Sequence, residues 1–145
     1  MMVALALCRQ APVGIDIERV TGRETEVACT FSEPERATLL QLHGWEAARA
    51  TLATWCRKEA LLKAFRLRLE DVLACGSLTG EDPERWIPPR SIGGGWRLAD
   101  LPTPEGYAGA VAVAAPAATP FVEHVSALQL LASARSSRPR RAGVM

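Results

Sequence analysis

Residues 13–18 read VGIDIE, and whether this hexapeptide is a strand decides the fold. Apolar and polar positions alternate, so an extended chain places Val13, Ile15 and Ile17 on one side and Asp16 and Glu18 on the other. A strand over 13–18 therefore brings two carboxylates to one place. Such a pair suits a hard divalent ion like Mg²⁺, which takes one or two carboxylates and completes its octahedron with phosphate oxygens and water. The same alternation is also what a strand with two acids turned to solvent shows.

On the N-terminal side, residues 2–7 read as a short strand and 9–12 as a turn, so the two strands are expected to form an antiparallel hairpin. On the C-terminal side a polar stretch, 19–30, leads to FSEPERATLLQL at 31–42. This is a helix start: Ser32 suits the N-cap, Glu35 completes a capping box and Pro34 is tolerated in the first turn. Gly44 is expected to end that helix.

The longest helical pattern follows over 46–65, with Ala48, Leu52, Trp55, Glu59 and Leu62 recurring at three- and four-residue intervals. Within it Trp55, Glu59 and Lys63 lie four apart and stack along one side. Glu59 and Lys63 are either an ordinary i,i+4 pair worth about 0.2–0.5 kcal/mol, or half of an active site that adds a third carboxylate and a cation to Asp16 and Glu18. Beyond residue 70, Gly76, Gly80, Pro83, Pro88, Pro89 and the glycines at 93–95 mark turns. Residues 96–101 and 107–115 read as strands of a hairpin around 102–106. The order strand, strand, helix, helix, strands implies an α+β domain, with helices packed on one face of an antiparallel sheet.

The composition fits that domain. A chain of 145 residues, 48% hydrophobic and 23% charged, is long enough to bury a core and is unlike a disordered polymer. The net charge of +1 hides an asymmetry: without Arg135, Arg138, Arg140 and Arg141 the remainder carries −3. Residues 1–125 are expected to form the domain and 126–145 a disordered basic tail. That tail lacks interleaved aromatics, so no nucleic-acid partner is expected.

Cys8, Cys29, Cys56 and Cys75 are too widely spaced for a C-x-x-C motif, and only His43 and His124 could join them, so reduced thiols in a cytoplasmic protein are expected rather than zinc. The N-terminal apolar run lacks the basic flank and small residue of an export signal. The run at 107–118 is too short to cross a bilayer, so no membrane partner is expected.

In order, VGIDIE at 13–18, FSEPE at 31–35 and WCRKEALLK at 55–63 resemble the three C-terminal signatures of 4′-phosphopantetheinyl transferases, most closely the surfactin-synthetase-activating type. GYAGAVAVA at 106–114 is similar to that family's last core strand. The resemblance spans roughly residues 3–125 and corresponds to the C-terminal half of a two-half architecture. It implies Mg²⁺-dependent transfer of the phosphopantetheine arm of coenzyme A to a serine of an acyl, polyketide or nonribosomal-peptide carrier protein. By this likeness Asp16, Glu18 and Glu59 bind the metal, and Glu59 also acts as general base. Lys63 contacts the phosphates and aids the departing nucleotide, and Lys58 assists phosphate binding. Phe31 and Glu35 look structural, and Trp55 orients the helix.

Two departures stand out. The family's glycine turn after the helix is replaced here by Arg66 and Arg68, so either the turn is remodelled or the helix runs on. The other half, which carries basic residues for the nucleotide, is not represented, so a homo-oligomer or a separate N-terminal half is expected as partner. The competing reading is a catalytically inactive half that serves as a carrier-protein or partner-binding module.

Overall fold

In a computed structural model of the chain, residues 2–22, 24–73, 77–80, 82 and 95–115 are described. The basic tail, the boundary at 125, Cys75, His124 and all of the turn-rich stretch 83–94 lie outside the described residues. The architecture is α+β. Three antiparallel strands, β1 (Val13–Arg19), β2 (Arg97–Asp100) and β3 (Tyr107–Val113), form one sheet in the order β1-β3-β2. A 3-10 segment (Glu24–Thr30) and α1 (Glu33–Leu39) lead to the 22-residue α2 (Gly44–Phe65), and α3 (Leu69–Leu73) is a single turn.

The expected hairpin between 2–7 and 13–18 is not formed. β1 instead pairs along its whole length with β3, from Val13 opposite Val113 to Arg19 opposite Tyr107. Residues 2–7 have no ladder partner among the described residues, and Val3, Leu5 and Leu7 are 81, 79 and 86% exposed. The C-terminal hairpin does form, β2 against β3 from Arg97 opposite Val113 to Asp100 opposite Ala110. β3 is thus the central strand, and six of its seven residues are buried.

The strand alternation is real, but the covered face is the polar one. Helix α2 lies on the side of β1 that carries Gly14, Asp16 and Glu18, while Val13, Ile15 and Ile17 on the other side are only half-buried. The reason is steric. A Cβ on Gly14 would sit 2.1 Å from the Ala60 carbonyl oxygen and 2.5 Å from the Ala64 nitrogen, so only glycine admits the helix backbone there. Across the ladder, Ala112, Ala110 and Ala108 stand opposite Gly14, Asp16 and Glu18, and all three alanines are buried. Small side chains on both strands let α2 settle close to the sheet.

The helix meets that floor with Leu52, Cys56, Ala60 and Ala64, a stripe at four-residue spacing, supported by Leu61. The expected stripe of Ala48, Leu52, Trp55, Glu59 and Leu62 is therefore rotated: Trp55, Glu59 and Leu62 flank the seam and are only partly buried.

The helix ends also differ from expectation. Gly44 does not end α1 but opens α2, with φ +56°, and α1 stops at Leu39. At the other end α2 neither runs on nor loses its turn. Arg66 adopts the left-handed conformation (φ 51°, ψ 41°), and the amides of Arg66 and Leu67 both donate to the Leu62 carbonyl. Arg66 is the one non-glycine with positive φ among the described residues, which costs about 1–2 kcal/mol relative to a right-handed conformation.

Candidate active site

Two elements build the site: β1 presents Asp16 and Glu18 from the face that α2 covers, and α2 presents Glu59 and Lys63 from the flank of its buried stripe. Asp16 is only 9% exposed, and Lys63 Nζ donates to its Oδ1 at 2.6 Å. The same ammonium lies 3.7 Å from Glu59 Oε2, the i,i+4 partner. Lys63 is therefore shared between a carboxylate of the strand and one of its own helix, and the i,i+4 pair read from the spacing is present.

The electrostatics follow from this crowding. Burial alone would lower the Lys63 pKa, but its hydrogen bond to Asp16 and the charges of Asp16 and Glu59 outweigh burial and hold it above the ordinary lysine value. Glu18, at the open end of the strand, is pushed up by burial first, then by the charges of Asp16 and Glu59, with Lys63 acting in the opposite sense. Beneath Asp16 the Cys56 thiol donates to the Ala108 carbonyl at 3.5 Å, and burial, followed by the charge of Asp16, pushes it up. Cys56 belongs to the core, whereas Cys8 and Cys29 are exposed.

Asp16 Oδ2 is buried and has no hydrogen-bond partner among the described residues. An ionised oxygen in that state is costly unless a cation or donor reaches it. Among the described residues, however, no group of three or more His, Cys, Asp and Glu side chains is arranged to hold a metal, so Asp16, Glu18 and Glu59 do not form a ready-made cage. The donor chemistry fits Mg²⁺ in the form this ion commonly takes, one or two carboxylates with the remaining positions filled by phosphate and water.

Lys58 departs from its expected place at the phosphates. It is fully buried, donates to the Thr30 carbonyl at 3.1 Å, pairs with Glu35 Oε2 at 2.7 Å and lies 5.6 Å from the centre of the Phe31 ring. One residue along a helix is a turn of about 100°, which takes Lys58 to α1 instead of β1. Glu35 does accept from the Ser32 amide at 2.8 Å, as the capping box requires. Its second oxygen accepts from the Leu78 amide at 3.0 Å, so it is both a cap and a buried counter-ion.

The sequence reading missed Arg57. Its guanidinium grips Asp100 of β2 through two bonds of 2.8 and 2.6 Å and donates to the Leu78 carbonyl at 2.7 Å. The signal was there: three consecutive charges at 57–59 on a helix cannot share a face, so they must point three ways.

A separate groove of about 550 Å³ opens at the other end of α2, walled by Phe31, Leu39, Leu40 and Ala47, with Arg36 and His43 among its lining. None of the four site residues lines it. No helix of the described residues is long and apolar enough to cross a membrane.

No curated protein matches the chain at a significant level. A family model does, over residues 12–108, which takes in β1, α1, α2, β2 and the start of β3 and hence every site residue above. With well over half of its length matched, the chain belongs to the 4′-phosphopantetheinyl transferase superfamily.

Proposed function

We propose that the chain is a Mg²⁺-dependent 4′-phosphopantetheinyl transferase, moving the phosphopantetheine arm of coenzyme A to a serine of an acyl, polyketide or nonribosomal-peptide carrier protein. The observation that carries this reading is the meeting of Asp16, Glu59 and Lys63 across the β1–α2 seam, within motifs that resemble the family's signatures and inside the matched range. The order of the three motifs supports the surfactin-activating type, with this chain as the C-terminal half and an N-terminal half or a second copy completing the coenzyme A site. The wide spacing of the four cysteines suits a reducing, cytoplasmic setting.

Transfer forms a bond from the serine oxygen to the phosphorus that bears pantetheine and breaks the bridging P–O bond, releasing adenosine 3′,5′-bisphosphate. Asp16, Glu18 and Glu59 would hold Mg²⁺, which neutralises pyrophosphate charge when bound. Glu59, partly exposed and next to Lys63, takes the proton of the serine hydroxyl. Lys63, kept charged by Asp16, contacts the phosphates and stabilises the negative charge on the leaving nucleotide. Lys58 takes no part, because it is buried against Glu35.

A second reading, an inactive module that binds a carrier protein or another partner, draws support from the exposed Val3, Leu5 and Leu7. Mass spectrometry of an apo carrier protein incubated with the chain, Mg²⁺ and coenzyme A separates the two. A phosphopantetheine-sized mass increment is expected, lost in Glu59→Gln and Asp16→Asn. No increment with the unaltered chain overturns the catalytic reading for the chain on its own.

A further inference from the structure

Residues 57–59 are Arg, Lys and Glu, and each goes a different way round α2. Arg57 reaches β2 through Asp100, Lys58 reaches α1 through Glu35, and Glu59 faces the acids of β1. The first two are joined through one peptide segment. Glu35 accepts from the amide of Leu78, and Arg57 donates to its carbonyl. Arg57, Lys58, Glu35 and Leu78 are all buried. The result is a continuous chain of charge-assisted bonds, Asp100–Arg57–Leu78–Glu35–Lys58, that takes hold of α2 at two adjacent residues about 100° apart.

Two anchors at that separation restrain what one cannot, the rotation of the helix about its own axis. The seam toward the sheet holds α2 close through Leu52, Cys56, Ala60 and Ala64 packed over small residues, and the two polar anchors add directional restraint to that non-directional packing. A side-chain tip lies about 5–6 Å from the helix axis, so a rotation of about 10° displaces it by about 1 Å. A displacement of that size at a reacting group costs as much as about 100-fold in rate.

We infer that Arg57 and Lys58 are positioning residues: with Asp100, Leu78 and Glu35 they set the angle of α2 that brings Glu59 and Lys63 to Asp16. The inference rests on the transfer reaction proposed above for its kinetic consequence, but not for its structural one.

The test is the paired replacement Glu35→Gln with Lys58→Met, which removes both buried charges together and keeps a side-chain acceptor for the capping box at Ser32, at some loss of stability from the weakened bond to the Leu78 amide. Three quantities are read: the thermal midpoint, the ¹H–¹⁵N signal of the Lys63 ammonium, slowed in exchange by its bond to Asp16, and kcat and KM for coenzyme A. The expected result is a lowered but still cooperative midpoint, a lost or displaced Lys63 signal and a kcat reduced roughly 10- to 100-fold with KM little altered. A lowered midpoint accompanied by an unchanged Lys63 signal and unchanged kcat shows the pair to be only structural and overturns the inference.

Should the paired variant not fold, Asp100→Asn loosens the other anchor from its solvent side, at a residue 42% exposed, and the same displacement of the Lys63 signal decides. If the unaltered chain transfers nothing, the function proposed above fails for the chain on its own, while the Lys63 signal still settles the positioning role.

Discussion

Helix α2 carries two lysines five residues apart, each bonded to a carboxylate from another element, and they have opposite fates. Lys58 and Glu35 meet at 2.7 Å with both side chains 0% exposed. Lys63 and Asp16 meet at 2.6 Å, but Lys63 remains 46% exposed. The first pair is further saturated by Thr30, Ser32 and Leu78, so it has no capacity left for a substrate. The second leaves one Asp16 oxygen without a hydrogen bond among the described residues and an ammonium open to solvent. Equal bond lengths therefore say little about role; burial and saturation separate structural charge from chemical charge.

The comparison is most severely tested at Lys58. Lys58→Met alone strands the Glu35 carboxylate in the core and is expected to destabilise the fold by about 3–5 kcal/mol, read as a lowered urea midpoint. Lys63→Met should cost less than that, on the order of 1–3 kcal/mol, because it leaves the buried Asp16 carboxylate without its cation while water can enter the 46% exposed position of Lys63. It should nonetheless abolish transfer, and a Lys63→Met variant that still modifies a carrier protein would remove Lys63 from the reaction.

A smaller effect, and of opposite sign, is expected one turn on. Arg66→Gly relieves the left-handed backbone and should raise stability by about 0.5–1 kcal/mol, net of the flexibility glycine adds to the unfolded chain. The smallest lies in pH dependence. Because the folded-state pKa of Glu18 is raised above its ordinary 4.5, the native state holds that proton more tightly than the unfolded chain does. Stability from this group is thus present at low pH and declines as pH rises from 4.5 through the folded value. Glu18→Gln should flatten the thermal midpoint over that range. For Lys63, also raised, the stabilisation is complete below 10.5 and is lost only as pH climbs past its folded value.

Much of this could be read from residues alone. The strand at 13–18, the capped start at Ser32, the long helix and the C-terminal hairpin all follow from local pattern, and the α+β class follows from their order. Residues 2–7 were misread because alternation marks a strand's faces without naming its neighbour, and β1 found β3 instead. Lys58 was misplaced because its motif neighbour is Glu59, although successive helix residues point about 100° apart. Arg57 and Asp100, 43 positions apart, had no pattern to connect them.

What the sequence by itself determined is local: the two-residue period that sets Asp16 beside Glu18, and the four-residue period that sets Glu59 beside Lys63. Backbone geometry alone fixes those relations. Only the tertiary structure decided that the acidic face of β1 is the covered one and that one lysine is entombed while the other stays open. Those outcomes depend on how close distant backbones can come, and Gly14, Ala60, Ala64 and the alanines of β3 let α2 close over Asp16, where larger side chains would have held it away.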